Sequence, residues 1–180
     1  VFYRNAKFLL TGFLSSDRVR LPSMIASATP SPLTGIPLDE ALANVPTEMP
    51  ALIEEFLYEE TVTILAAAPE TGKTLLAQQI NAALAGGQKL WDGLLIPSPR
   101  VVYYLQLEGS PLEFRRRLAT IRERIPFPST NFIYDPFCEG INLLNDRHQA
   151  FLLERIDAVA RPALITIDPA YMAIRGGLSK

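Results

Sequence analysis

From residue 61 onward, short continuous apolar runs alternate with segments whose apolar residues recur every three or four positions. Thr61-Val62-Thr63-Ile64-Leu65-Ala66 reads as a buried strand, because β-branched side chains suit a pleated surface. Residues 73 to 85 read as a helix with Leu76, Ile80, Ala83 and Leu84 at helical spacing and Gly86-Gly87 as its stop. Val101 to Leu107 is the second strand. Ser110 then caps a helix, Pro111 suits its first position, and Glu113 completes a Ser-x-x-Glu capping box. Phe114, Leu118, Ile121 and Ile125 follow at steps of four, three and four, one apolar face that ends at Pro126. Asn131 to Tyr134 is a short third strand. Asp146 caps a helix running to about Ala160 with Phe151, Leu152, Ile156 and Val159 inward, and Pro162 stops it. Ala163 to Ile167 is the last strand, closed by Asp168-Pro169. Strands alternating with helices predict an α/β fold of three layers, a mainly parallel sheet covered by helices.

The chain before residue 61 reads differently. Residues 22 to 50 hold six prolines, a linker density, with Ser and Thr between them. The expected division is an N-terminal appendage and Pro-rich linker over residues 1–37 and one domain over 38–180. Asp39 to Glu60 carries seven acidic residues and no basic one, which reads as a solvated face. Ala51-Leu52-Ile53 and Phe56-Leu57 offer apolar contacts to the domain that follows.

Composition narrows the class. In 180 residues, 48% hydrophobic and 20% charged, there is enough apolar surface for a core, which argues against disorder. A net charge of -2 supplies no global attraction to nucleic acid, and any such contact needs a local patch. One cysteine, Cys138, and one histidine, His148, cannot build a disulfide or the usual zinc cluster. No apolar run approaches the roughly 20 residues of a membrane span, so a cytoplasmic protein without membrane contact is expected. The start at Val1 and the stop at Lys180, just after a strand pattern, suggest a piece of a longer chain, incomplete at its C-terminal side.

The candidate chemistry lies between the first strand and its helix. Ala67-Ala68-Pro69-Glu70-Thr71-Gly72-Lys73-Thr74 follows the P-loop pattern, in which successive backbone N–H groups and a helix N-terminus surround phosphates. Ala68, Pro69, Glu70, Thr71, Gly72, Lys73, Thr74 and Leu75 are the expected nucleotide contacts, the ligand being ATP with Mg2+. Gly72 permits close backbone approach, Lys73 brings charge to the β and γ phosphates, and the Thr74 hydroxyl suits the metal. Ala67 stands where the pattern has its first glycine; a left-handed backbone there would cost on the order of 1 kcal/mol. Glu70 would be adverse to phosphate unless it points to solvent.

Asp168 ends the last strand as a metal-side aspartate would, and Glu108 ends the second strand. In a parallel sheet both fall at the P-loop edge, which makes Glu108 the candidate general base. Plainer readings stand beside these: an ordinary helix start at Gly72-Lys73-Thr74, a turn aspartate before Pro169, and a capping or salt-bridge role for Glu108.

The run from about Pro50 to Tyr171 resembles the RecA-like P-loop ATPases, and within the AAA family ATPases the RepA-type hexameric replicative helicase branch. The resemblance rests on PALIEEFLYEETVTILAAAPETGKT, on YLQLEGS followed by FRRRL, and on ALITIDPAYM. It implies a RecA-like three-layer core, ATP hydrolysis on Lys73 and Glu108, metal at Thr74 and Asp168, single-stranded DNA as partner and a homo-hexamer in DNA replication. Glu59-Glu60 departs from the family's glycine-containing turn, and Gly109 stands where a second acidic residue is frequent. Arg115-Arg116-Arg117 with Arg122 and Arg124 is the basic cluster, read as the solvated face of an amphipathic helix. Two other classes fit a P-loop: a nucleotide-dependent regulatory module with little or no hydrolysis, and a small-molecule kinase, which would need an acceptor lid that the segment from Gly109 to Pro162 does not suggest.

Overall fold

In the computed structural model, residues 7–12, 37–43, 45, 50–91, 94–136, 140–159 and 161–174 are described. The elements run β1 (Lys7–Gly12), α1 (Leu38–Leu42), β2 (Ala51–Ile53), β3 (Leu57–Tyr58), β4 (Val62–Ala66), α2 (Lys73–Gly86), β5 (Val102–Gln106), α3 (Pro111–Arg124), β6 (Phe132–Asp135), α4 (Asp146–Val159), β7 (Leu164–Asp168) and α5 (Ala170–Ile174). Most of the proline-rich stretch and Cys138 lie outside the described residues.

Five strands form one sheet in the order β4-β1-β7-β5-β6, and every pairing is parallel. Alternation along β5 sorts the core into two layers. Val102 and Tyr104 join Ile80 and Leu84 of α2 and Phe114 and Ile121 of α3, while Tyr103 and Leu105 join Leu152 and Ile156 of α4. The fold is thus the three-layer α/β core of a P-loop nucleotide-binding domain. The β2-β3 hairpin closes the first layer through Leu52, Ile53 and Leu57, all buried. No helix among the described residues is long and apolar enough to cross a membrane.

Several expectations change. Residues 7–12, read as part of the appendage, form β1, seated between β4 and β7. β4 is a strand but not a buried one: it lies at the sheet edge, with Val62 59% and Ile64 49% exposed, because α4 packs on β5 and β7 and α5 on β7 and β1. In α4, Leu152 and Ile156 face inward, whereas Phe151 and Val159 are exposed; Phe151 instead takes the Arg155 guanidinium over its ring at 5.5 Å. That helix is capped by Asn145, whose Oδ1 accepts from the Arg147 N–H at 2.9 Å, so Asp146 is its first residue and not its cap. Ser110 does cap α3, accepting from the Glu113 N–H at 3.4 Å, but the Glu113 carboxylate pairs with Arg117 and leaves the capping box half made.

α2 buries more than one face. Residues 80 to 85 are all buried, since the helix is enclosed by the sheet, α3 and the hairpin. Its far end is tied down: Leu84 O accepts from the Arg100 N–H at 3.0 Å and Ala85 O from the Asn131 side chain at 3.0 Å. A Cβ at Gly86 would lie 2.3 Å from Pro126 O, so only glycine fits there.

On the α4 side, the Tyr103 hydroxyl donates to Asp135, which also accepts two bonds from Arg155 at 2.8 Å each. Burial, then Asp135, pushes the Tyr103 hydroxyl well above its ordinary pKa. The folded chain therefore keeps a proton that the unfolded chain releases, and stability falls as pH rises above about 10. In thermal melts between neutral and alkaline pH, Tyr103→Phe is expected to flatten that decline.

Candidate functional site

All five strands are parallel, so their C-terminal ends share one edge of the sheet, the edge at which such folds bind ligands. The chain leaves β4 there, passes through residues 67–72 and enters α2 at Lys73. Gly72 is the N-cap with φ 90°, a left-handed turn, and beyond it the first N–H groups of α2 point out of the helix end along its axis. A side chain at Gly72 would meet nothing within 4 Å, so the space above the loop is open. Thr71 closes the loop by donating to Ala68 O at 2.8 Å. The Lys73 ammonium bends back over the same loop, donating to Ala67 O at 3.0 Å and Ala68 O at 2.7 Å. Leu75, two residues along α2, is 42% exposed.

Ala67 is free of the strain that its place in the pattern suggests. The positive φ values in the loop belong to Gly72 and to Glu70, at 62°. A glutamate held there costs roughly 1–2 kcal/mol, and its charge is exposed within the same loop. Glu70→Gly is therefore expected to raise the unfolding midpoint. It should also tighten ATP binding by about twofold to fivefold at low salt, the gain in affinity shrinking as salt is added. Glu60 likewise takes a left-handed turn, φ 59°, where the sequence replaces an expected glycine.

β7 lies one strand beyond β1, so its end stands about 10 Å from the end of β4, two strand spacings. Asp168 ends β7 and is 4% exposed, with its Oδ2 accepting from the Tyr104 hydroxyl at 2.6 Å. Burial, and then Asp168, hold the Tyr104 hydroxyl well above its ordinary pKa, which keeps it a donor. Glu108 is exposed just beyond β5, in register with Asp168 through Gln106, and the Leu107 N–H donates to Asp168 O at 2.8 Å. Tyr171, on α5, donates to Glu108 Oε2 at 2.6 Å. The structure thus brings Lys73, Thr74, Asp168 and Glu108 to one sheet edge. The basic cluster lies on α3, where Arg117 pairs with Glu113 and Arg122 lies over Phe127 at 5.2 Å, and Arg117 and Arg124 line one cleft with Leu75 and Gln79 of α2.

Nucleotide and Mg2+ fit this edge. Among the described residues no group of three or more His, Cys, Asp or Glu could hold a metal by itself. Mg2+ needs no such cage, since it takes one or two protein oxygens beside phosphate and water, and a hydroxyl and a carboxylate are hard donors of that kind. The Lys73 ammonium, resting on carbonyl oxygens, is the cation that this loop carries.

Tyr104, Gln106, Tyr134 and Tyr171 form the hydrogen-bonded frame of the two carboxylates, and sequence reasoning missed all four. The available signal was the pair Tyr104 and Gln106, polar tips at alternate positions of a strand buried along its whole length. A protein-family model described as an AAA domain matches residues 27–180. No curated protein and no solved structure matches the chain.

Proposed function

The chain belongs to the AAA domain family, and from that premise we propose that it binds ATP with Mg2+ and hydrolyses it, as the RecA-like domain of a helicase-type replication protein that acts on DNA as a homo-hexamer. The observation that carries the reading is the gathering of the Lys73 loop, Asp168 and Glu108 at one edge of a parallel sheet. Lys73 leaves the Ala67 and Ala68 carbonyls for the β and γ phosphates. The N–H groups of Gly72, Lys73, Thr74 and Leu75 surround the phosphate oxygens with the positive end of α2 behind them. Thr74 and Asp168 would hold Mg2+, which supplies charge neutralisation at the phosphates. Glu108 accepts a proton from the attacking water as its oxygen bonds to the γ phosphorus and the bond to the bridging oxygen breaks, releasing ADP.

The test is ATP turnover by the full chain with and without single-stranded DNA. Turnover that rises with DNA supports the whole reading. Turnover indifferent to DNA removes the helicase part, and absence of turnover removes the enzyme.

A second reading is a module that holds ATP without hydrolysing it. Glu70 favours it, placing a strained backbone and a negative charge in the phosphate loop. Tight ATP binding with no turnover in the unmutated chain would select it.

A further inference from the structure

Glu108 stands outside the strand, exposed, and is followed by Gly109 at φ 85°. Its backbone is fixed from beneath by Gln106, which is 5% exposed and donates through Nε2 to Glu108 O at 2.7 Å. A carbonyl can only accept, so the amide nitrogen must face Glu108; Oε1 is then left to the Tyr134 hydroxyl, which donates to it. The Tyr134 ring is in turn stacked on Phe114 of α3, with centroids 4.4 Å apart and planes 8° from parallel. A side chain on Gly109 would lie 3.6 Å from the same amide nitrogen, so the amide forms the floor of the turn.

We propose that Gln106 is a positioning residue for hydrolysis: held in one orientation by Tyr134, its amide fixes the main chain at Glu108 and thereby the place of the general base. The inference rests on the reading of Glu108 as that base. It asks for no contact between Gln106 and nucleotide, so turnover and binding should separate. A base displaced by about 1 Å costs up to roughly a hundredfold in rate.

The experiment compares Gln106→Leu, Tyr134→Phe and the double variant in the full chain. Gln106→Leu is expected to lower kcat by at least about tenfold, with KM for ATP and the Kd of a non-hydrolysable ATP analogue within about twofold of the unmutated chain. Tyr134→Phe should act in the same direction by less, and the double variant should be no slower than Gln106→Leu, since both act through one amide. A purely structural role would move affinity and unfolding midpoint together with kcat. An undiminished kcat, a parallel loss of binding and turnover, or additive losses in the double variant would each overturn the proposal. If Gln106→Leu does not fold, an undiminished kcat in Tyr134→Phe overturns it. Amide exchange over residues 107–110 without nucleotide is the readout independent of activity. Faster exchange in the variants supports the tether even if the unmutated chain binds ATP without turnover, an outcome that sinks only the enzyme reading; unchanged exchange rejects the tether.

Discussion

Lys73→Ala is expected to abolish measurable ATP turnover and to weaken nucleotide binding by roughly tenfold to a hundredfold, the loss of one or two charge-assisted hydrogen bonds at about 1.5–3 kcal/mol each, less the cost of giving up its present partners. Those partners are the carbonyls of Ala67 and Ala68, at 3.0 and 2.7 Å. On the proposed reading the exchange of carbonyl for phosphate makes the lysine differential: placed between the β and γ phosphates, it bonds more strongly as negative charge builds on the leaving oxygen between them. Fluorescent-nucleotide titration beside phosphate release separates the two effects. Fold stability should hold, because Lys73 lies at the exposed mouth of the loop and its bonds are confined to it. An alanine variant that binds ATP with unchanged affinity would move the nucleotide away from this loop.

Glu108→Gln should give the opposite division. Binding stays within about twofold, while the rate falls by about a hundredfold to ten-thousandfold, the usual worth of a general base. The amide keeps the volume of the carboxylate and can still accept from Tyr171, which now meets Glu108 Oε2 at 2.6 Å. What it cannot do is take the proton of the attacking water. A Glu108→Gln chain that hydrolyses ATP at the unmutated rate would leave Glu108 with only the turn it helps to build.

Much of the fold is legible in local pattern. β5, α3 and β7 appear within a residue or two of their expected bounds, because a continuous apolar run and a four-three-four repeat each bury a full face. Asp168 and Glu108 could be placed at one edge from parallelism alone, without knowing the order of strands. The order itself was not legible: KFLLTG carries a short apolar stretch, and nothing in it says which gap it fills. β4 shows the same limit, since β-branched residues mark a strand whether or not a layer covers it. Phe151 and Leu152 are adjacent on a helix, about 100° apart, so pattern alone does not decide which one leads inward. The frame around the carboxylates was hidden for another reason. Tyrosines count as apolar in a periodic reading, and the hydroxyls of Tyr104 and Tyr134 gain partners only once β5, β6 and β7 are in register.

The anchoring of α2 has a mechanical consequence. Its last carbonyls are held by Arg100 and Asn131, and Pro126 stands against Gly86 where no larger residue fits. Lys73 and Thr74, at the opposite end, face an open loop. The anchored, buried end resists displacement, so strain introduced by occupancy of the phosphate loop would be taken up at the N-terminal turn around Lys73 and Thr74, the part of α2 that is not buried.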